Sequence, residues 1–335
     1  MSLPVIALTL GDPAGIGPEI IVRACAEEAP ARRIVYGDAR VLEKALRAAS
    51  SSLRLRAVST PGAALFRPGE LEVVDLANAD PAGFEPGLVQ ASCGRAAFEC
   101  VEAAVGAALR GEVDAVDTAP VNKEALRAAG VPYIGHTEML AGLTGASDPL
   151  TMFETRSLRI FFLTRHVSLR QACDLVTEER VLDCVERCAA ALGRLGLGGG
   201  ELAVAGLNPH CGEHGLFGDE EGRAVEPAVA KARARGLKVA GPIGADSVFH
   251  QAAAGRYAAV LSLYHDQGHI AAKTLDFDRT VSLTLGLPFL RASVDHGTAF
   301  DIAWKGLASA AGMAESVRAA ARYAIAYKES AGRRA

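Results

Sequence analysis

Short apolar runs alternate with alanine-rich segments along almost the whole chain, and polar residues or glycine follow each apolar run. The pattern is clearest in "PVIALTL" (4–10), "LRIFFLT" (158–164) and "YAAVLSLYH" (257–265). Apolar runs of this length, bounded by turn residues, predict buried strands. Strands that alternate with helical segments predict α/β architecture with a mostly parallel sheet. In such sheets, ligand sites lie beyond the carboxyl ends of the strands.

Length and charge exclude several classes of protein. The chain has 335 residues, 50% of them hydrophobic, which is enough to bury a large core and to form more than one compact unit. The net charge is -4 and no basic block occurs, so we expect no nucleic-acid partner. No apolar run approaches the roughly 20 residues that span a bilayer, and no charged segment precedes the first strand, so we expect neither a membrane span nor a signal peptide. Seven cysteines without a C-x-x-C motif predict a reducing, cytoplasmic location.

Three histidines follow three of the predicted strands. His166 follows "LRIFFLT", His210 follows "ELAVAGLN" and His265 follows "AAVLSLY". Parallel strands would bring these imidazoles to one sheet edge, where they could bind a divalent metal ion with positions left open for substrate. The alternative is three unrelated loop histidines. Asp246 and Asp266 lie near the same edge and could orient a ligating ring, although Asp246 could equally cap a helix.

Other histidines fit a metal site less well. His269 lies four residues after His265, but we expect residue 265 to end a strand and Gly268 to interrupt any helical turn, so that His269 would not reach the same ion. His210, Cys211 and His214 resemble a small metal-binding loop, but the intervening glycine argues against a self-contained site.

Several residues could bind an anion. Lys273 and Arg291 follow the predicted metal ligands, and His136 with Thr137 stands at a predicted helix start. Helix N-termini bind anions, and Lys with Arg can hold a phosphate or carboxylate, although each residue alone could be an ordinary surface residue. The sequence contains no G-x-G-x-x-G and no Walker A motif, so a classical dinucleotide-binding fold is not predicted.

A set of motifs then resembles a known family. "GDPAGIGPE", "TAPVNKEAL", "GHTE", "NPHCGEHGLFGDEE", "GPIGADSVF", "YHDQGH" and "TLGLPFLRASVDHGTA" occur in the same order as in 4-hydroxythreonine-4-phosphate dehydrogenases, over nearly the whole chain. The resemblance implies a two-domain α/β/α fold like that of isocitrate and isopropylmalate dehydrogenases, with the active site in the interdomain cleft. We expect a first domain of residues 1–130 plus 295–335 and a second domain of residues 131–294 that carries most metal and substrate residues.

The resemblance also implies a reaction and its residues. The activity would be NAD- or NADP-linked, metal-dependent oxidation and decarboxylation of 4-phosphohydroxy-L-threonine to 3-amino-2-oxopropyl phosphate, for pyridoxal phosphate synthesis, in a homodimer with the metal site near the subunit interface. One divalent ion (Zn, Mg, Mn or Co) would be bound at the three histidines. The residues that match the family's substrate contacts are His136, Thr137, Lys273, Ser282 and Arg291. Lys273, Asp246 or Asp266 could move the proton in catalysis.

Ser282 departs from the family pattern, in which an asparagine contacts the substrate two residues before the "TLG" threonine. Serine is shorter and lacks the amide donors, so the substrate could instead be D-threonate or D-erythronate 4-phosphate, which relatives oxidise by the same chemistry. A more distant branch of the family acts on a dihydrodiol of terephthalate. From the histidines alone, a metal-dependent hydrolase or lyase and a non-catalytic binder of anionic metabolites remain alternatives.

Overall fold

The computed structural model describes residues 3–332, and within them the secondary structure follows the predicted alternation. The strands are β1 (Val5–Thr9), β2 (Arg32–Gly37), β3 (Arg54–Val58), β4 (Glu70–Asp75), β5 (Ala115–Thr118), β6 (Leu150–Thr155), β7 (Leu158–Phe162), β8 (Leu202–Ala205), β9 (Val239–Ile243), β10 (Ala259–Ser262), β11 (Val281–Leu285) and β12 (Leu290–Val294). The helices are α1 (Gly17–Ala26), α2 (Ala39–Ala48), α3 (Ala91–Leu109), α4 (Lys123–Ala128), α5 (His136–Thr144), α6 (Leu169–Asp174), α7 (Glu178–Arg194), α8 (Glu226–Ala234), α9 (Ala245–Ala253), α10 (His265–Leu275) and α11 (Ala311–Gly332). The predicted α/β class is confirmed.

The chain divides into two compact units, Met1–Pro149 with Val281–Ala335 and Leu150–Thr280. In the first unit the strand order is β3-β4-β2-β1-β5-β12-β11, and all pairs are parallel except β11 with β12. The central strands are buried on both faces, which explains why they are continuous Val, Ile and Leu runs rather than alternating ones. Gly94 allows α3 to approach α4 closely, because a Cβ there would lie 2.1 Å from the carbonyl oxygen of Ala125.

In the second unit the strand order is β6-β7-β10-β8-β9, with β6 and β7 antiparallel and the other pairs parallel. The carboxyl ends of β7, β10 and β8 therefore lie at one edge of this sheet, and each leads into a segment with one of the three predicted histidine ligands. Among the described residues, no helix is long and apolar enough to cross a membrane.

The division into units differs from the predicted boundaries at residues 130 and 294. Helix α5 packs against α3, and β12 pairs with β5, so both belong to the first unit. The predicted substrate residues His136, Thr137, Ser282 and Arg291 consequently lie in the first unit, not the second. Long-range strand pairing decides this boundary, and no local composition change marks it in the sequence.

Candidate active site

The stretch that begins with His265 is helical, and the prediction that Gly268 would interrupt a turn was wrong. β10 ends at Ser262 and α10 begins at His265. A Cβ on Gly268 would lie 2.6 Å from Phe162 and 2.8 Å from Ile160 and Ser262. The glycine therefore allows the first turn of α10 to pack directly on β7 and β10, and this contact fixes the position of His265.

His166 and His265 lie together at the ends of β7 and β10. Their ring centroids are 5.9 Å apart. An imidazole ligand places its ring centre about 3 Å from the ion, so two ligands of one ion have centres roughly 5 to 6 Å apart. Both rings line a pocket of about 300 Å³ that also includes Arg165 and Tyr264. The spacing fits two ligands of one divalent ion.

Asp266 is the hydrogen-bond partner that was predicted for a ligating histidine. Its Oδ1 lies 2.6 Å from Nδ1 of His265. A carboxylate on Nδ1 fixes the proton there and leaves Nε2 of the ring for a metal ion. The Asp266 side chain is otherwise exposed, so the carboxylate forms this hydrogen bond while it keeps most of its contact with water.

His269 packs against His265 in a way that does not suit shared metal binding. The two rings are stacked, with centroids 3.7 Å apart and an interplanar angle of 13°. Parallel faces do not direct nitrogen atoms toward a common ion. Burial, with the charge of His265 second, lowers the pKa of His269 to about 4, so the ring is neutral near pH 7. It also contacts Phe153 and Phe162 and serves as an aromatic packing residue.

His210 does not join the other two histidines. It lies in an exposed segment, Pro209–Gly215, after β8, and its ring centroid is 6.4 Å from that of Phe217. Within residues 3–332, no three His, Cys, Asp or Glu side chains are grouped closely enough to hold a metal ion. A single chain thus brings together two of the three predicted ligands.

Gln267 was not identified from the sequence, although it lies in the quoted "YHDQGH". Its side chain is buried; Oε1 accepts from the Leu263 N–H at 2.7 Å and Nε2 donates to the Gly206 carbonyl at 2.7 Å. These two bonds join the end of β10 to the end of β8. Gln267 therefore fixes the spacing of the segments that carry His265 and His210.

Arg291 is the centre of the predicted anion-binding group in the first unit. It is buried on β12, and its guanidinium donates to Oγ1 of Thr118 (Nη2, 2.6 Å; Nε, 3.2 Å) and of Thr284 (Nη1, 3.1 Å). Burial lowers the pKa of Arg291 to about 10, and the carboxyl group of Asp117 opposes that shift. A buried cation with mainly hydroxyl partners is well suited to bind an anion.

His136 lies within the field of Arg291. Burial, followed by the positive charge of Arg291, holds the pKa of His136 well below its usual value, so the ring is neutral. Its Nε2 is buried, and among the described residues it has no hydrogen-bond partner. Thr137 is the next residue of α5, a nine-residue helix whose N-terminus attracts negative charge. An unpartnered buried nitrogen on which the charge of a buried guanidinium acts indicates a ligand position.

Asp117 is a buried carboxyl group that the sequence analysis did not single out. It lies on β5, and Ser316 donates to its Oδ1 at 2.7 Å. Its Oδ2 has no partner among residues 3–332. Burial raises the pKa of Asp117 to about 7, against the lowering effects of Ser316 and Arg291. No pattern in "EVDAVDTAP" distinguishes this aspartate from a surface residue.

Comparison with known proteins now identifies the family. The model described as "Pyridoxal phosphate biosynthetic protein PdxA" matches residues 29–320. The chain belongs to the PdxA family. It is 57% identical over 330 residues to a Symbiobacterium thermophilum protein named "Putative D-threonate 4-phosphate dehydrogenase", with 98% of each sequence covered.

Solved structures agree with this assignment. The crystal structure of 4-hydroxythreonine-4-phosphate dehydrogenase from Klebsiella pneumoniae has a TM-score of 0.90 and 46% identity, and covers 96% of this chain and 98% of its own. A terephthalate 1,2-cis-dihydrodiol dehydrogenase from Burkholderia xenovorans LB400 has a TM-score of 0.66 and 32% identity, with 97% and 98% covered. The predicted resemblance is confirmed, and the PdxA-family chain is a dehydrogenase.

The remaining predicted site residues of this PdxA-family chain lie in the second unit. Lys273 is on α10, with Nζ 5.2 Å from the ring centroid of Phe277. Asp246 is exposed in the first turn of α9, where Gly244 is the N-cap, so the capping alternative is not what the structure shows. Burial raises the pKa of the Cys211 thiol, and the charges of Glu221 and Asp246 add to this, so Cys211 remains a protonated thiol and not a nucleophile.

Proposed function

We propose that this chain is a divalent-metal-dependent, NAD(P)-linked dehydrogenase that oxidises and decarboxylates D-threonate 4-phosphate. Oxidation at C3 would give a β-keto acid, and loss of CO₂ would leave dihydroxyacetone phosphate. The observation that carries the proposal is the buried Arg291 whose charge acts on neutral His136, with its unpartnered Nε2, because this pair could provide N–H groups for a phosphate. The relatives at 54–57% identity are named for this substrate.

Ser282 favours the threonate over 4-phosphohydroxy-L-threonine. The two substrates differ at C2, where the amino acid has an ammonium group and the threonate has a hydroxyl. An ammonium group only donates and is matched by an amide oxygen, whereas a hydroxyl donates and accepts and can pair with a serine. Ser282 is nearly buried on β11, opposite Ser293 of β12, so hydroxyl groups occupy this pair of positions. The predicted substrate, 4-phosphohydroxy-L-threonine, becomes the second candidate.

Each part of the phosphate-binding group has a defined task. Arg291 supplies fixed positive charge, and Thr118 and Thr284 hold its guanidinium in one orientation. His136 stays neutral and can donate from Nε2 without adding a second buried charge. The N-terminus of α5 adds the partial positive charge of its free N–H groups.

His166 and His265 are the residues that would hold the metal ion. When bound, a divalent ion lowers the pKa of a hydroxyl it contacts and withdraws electrons during loss of CO₂. Asp266 keeps His265 in the tautomer with Nε2 unprotonated. Because Asp266 is already engaged with His265, we favour Lys273 or Asp246 as the residue that moves the substrate proton.

We propose that a second copy of the chain completes the ligand set with His210, in a homodimer. Within one chain His210 lies apart from the other two histidines. Large apolar side chains are exposed on the segments that follow His166, His210 and His265, and this exposure would be unfavourable in an isolated chain. They are Leu169, Leu216, Phe217, Ile270 and Phe277, all more than half exposed. NAD or NADP would accept the hydride, and we assign no residue to it.

Formation of NAD(P)H tests the proposal. The purified chain, stripped with a chelator, should reduce neither dinucleotide with D-threonate 4-phosphate. Addition of Zn²⁺, Mg²⁺, Mn²⁺ or Co²⁺ should restore turnover, and unphosphorylated D-threonate should be a poor substrate. Undiminished turnover in the stripped enzyme would refute the metal dependence, and equal activity without the phosphate would refute the role of Arg291.

A further inference from the structure

The segment that carries His210 has an unusual backbone. From His210 to His214, five consecutive residues have positive φ, between 44° and 78°. This left-handed conformation is unfavourable for L-residues, by about 1 to 2 kcal/mol each, and is normally adopted by single residues. Of the five, Gly212 alone is a glycine. Contacts from outside the run must therefore hold it in place.

The buried carboxylate of Glu221 binds the residues just before this run. Its Oε1 accepts from the backbone N–H groups of Leu207 and Asn208, both at 2.7 Å, and its Oε2 accepts from Nδ2 of Asn208 at 2.9 Å. These hydrogen bonds hold the residues directly before Pro209. Glu221 begins a single π-helical turn, Glu221–Val225, a feature often found at functional sites.

Two glycines allow the segment to pack closely around this carboxylate, because neither has a Cβ. A Cβ on Gly212 would lie 2.5 Å from the Gly218 carbonyl oxygen and 3.1 Å from Oε2 of Glu221. A Cβ on Gly218 would lie 2.5 Å from the side-chain Nδ2 of Asn208. The carboxylate thus hydrogen-bonds the chain before His210 and lies close to Gly212 after it.

We propose that Glu221 is a positioning residue for metal binding: by fixing the left-handed segment, it fixes the direction of the His210 imidazole. The inference rests on the proposed function for the role of His210 as a ligand. The carboxylate is suited to this task because it accepts three hydrogen bonds while buried, and bonds to a charged acceptor are stronger than neutral ones. A glutamine of the same size would present a donor to the Asn208 amide and lose this charge.

The test compares Glu221→Gln with Glu220→Gln in the full-length chain. Glu220 is a matched control because its Oε2 also accepts from Nδ2 of Asn208, at 2.7 Å, from a more exposed position. Hydrogen exchange of residues 206–218 reports on the segment, and calorimetric titration with Zn²⁺ and Mn²⁺ reports on the metal site, both without substrate. We expect Glu221→Gln to raise exchange about tenfold and the metal Kd roughly 10- to 100-fold. Glu220→Gln should change each by less than about threefold.

The outcomes separate the two proposals. A wild-type chain that binds neither ion would overturn the proposed metal-dependent function. Unchanged exchange in Glu221→Gln would overturn the inference itself. The inference would also be overturned if Glu221→Gln raised the exchange rate, or lowered the melting temperature, but left the metal Kd at the wild-type value. Glu221 would then stabilise the fold without orienting His210.

Discussion

Replacement of Gly268 by alanine is a sharp test of how the metal site is positioned. The new Cβ would lie 2.6 Å from Cε1 of Phe162 and 2.8 Å from Cγ2 of Ile160. Carbon atoms in contact are normally about 3.5 to 4.0 Å apart, so α10 and the side chains that face it must separate by about 1 Å. Such overpacking costs about 1 to 3 kcal/mol, and the better helix propensity of alanine returns about 1 kcal/mol. We expect a net loss of about 0 to 2 kcal/mol in the free energy of unfolding.

The same displacement should also weaken metal binding. His265 lies three residues before Gly268 on the same helix, and ligand positions must be kept within about 0.5 Å. We expect the Kd for Zn²⁺ or Mn²⁺ to rise at least about tenfold. Urea unfolding and calorimetric titration measure the two effects separately.

Gly193→Ala is the matched control. Gly193 lies in α7, and no atom lies within 4 Å of a Cβ built there. This variant should be as stable as the wild type or more stable by up to about 1 kcal/mol, with an unchanged metal Kd. If Gly268→Ala behaved like Gly193→Ala in both assays, the proposed close packing of α10 and its role in positioning His265 would be refuted.

Two further predictions concern the buried charges of the first unit. Arg291→Gln should raise KM for the phosphorylated substrate by about 10-fold or more, since hydrogen bonds to charged groups contribute about 1.5 to 3 kcal/mol. Replacement of the exposed Arg279 by glutamine is the control. If steady-state assays gave Arg291→Gln the same KM as the wild type, the assignment of Arg291 to phosphate binding would be contradicted. Asp117 has its pKa raised by burial from 3.8 to about 7, so the folded chain retains a proton that the unfolded chain loses. This contribution to stability is complete below about pH 4 and is lost as the pH rises to about 7, by up to roughly 4 kcal/mol. In urea unfolding across this pH range, Asp117→Asn should show a smaller decline in the free energy of unfolding. The part that remains is due to Asp12, whose pKa burial raises to about 6. If the free energy of unfolding of the variant declined with pH as steeply as that of the wild type, Asp117 would not be the buried group that titrates.

The sequence was informative where one segment determines its own structure. Apolar runs followed by polar residues located the strands and the sheet edge of the second unit, because a buried strand must end where its polar residues begin. The pairing of His166 with His265 follows from adjacent parallel strands β7 and β10. The motif resemblance, covering almost the whole chain, gave the family directly.

Other features depend on contacts between distant residues and could not be read locally. Gly268 was interpreted as a helix breaker, whereas its position against Phe162 shows that it allows close packing. The left-handed run at His210 follows residues whose N–H groups are bound by Glu221, eleven residues after His210, and nothing in "NPHCGEHG" indicates this contact. The raised pKa of Asp117 results from the burial of this β5 residue against α11, and only the folded chain creates this burial.

The choice of substrate is tested by measuring kcat/KM for D-threonate 4-phosphate and for 4-phosphohydroxy-L-threonine, with the products identified by mass spectrometry. We expect a higher kcat/KM for D-threonate 4-phosphate, with one dihydroxyacetone phosphate and one CO₂ formed for each NAD(P)H. A higher kcat/KM for 4-phosphohydroxy-L-threonine, with 3-amino-2-oxopropyl phosphate as the product, would contradict it and would show that Ser282 does not select the hydroxy acid.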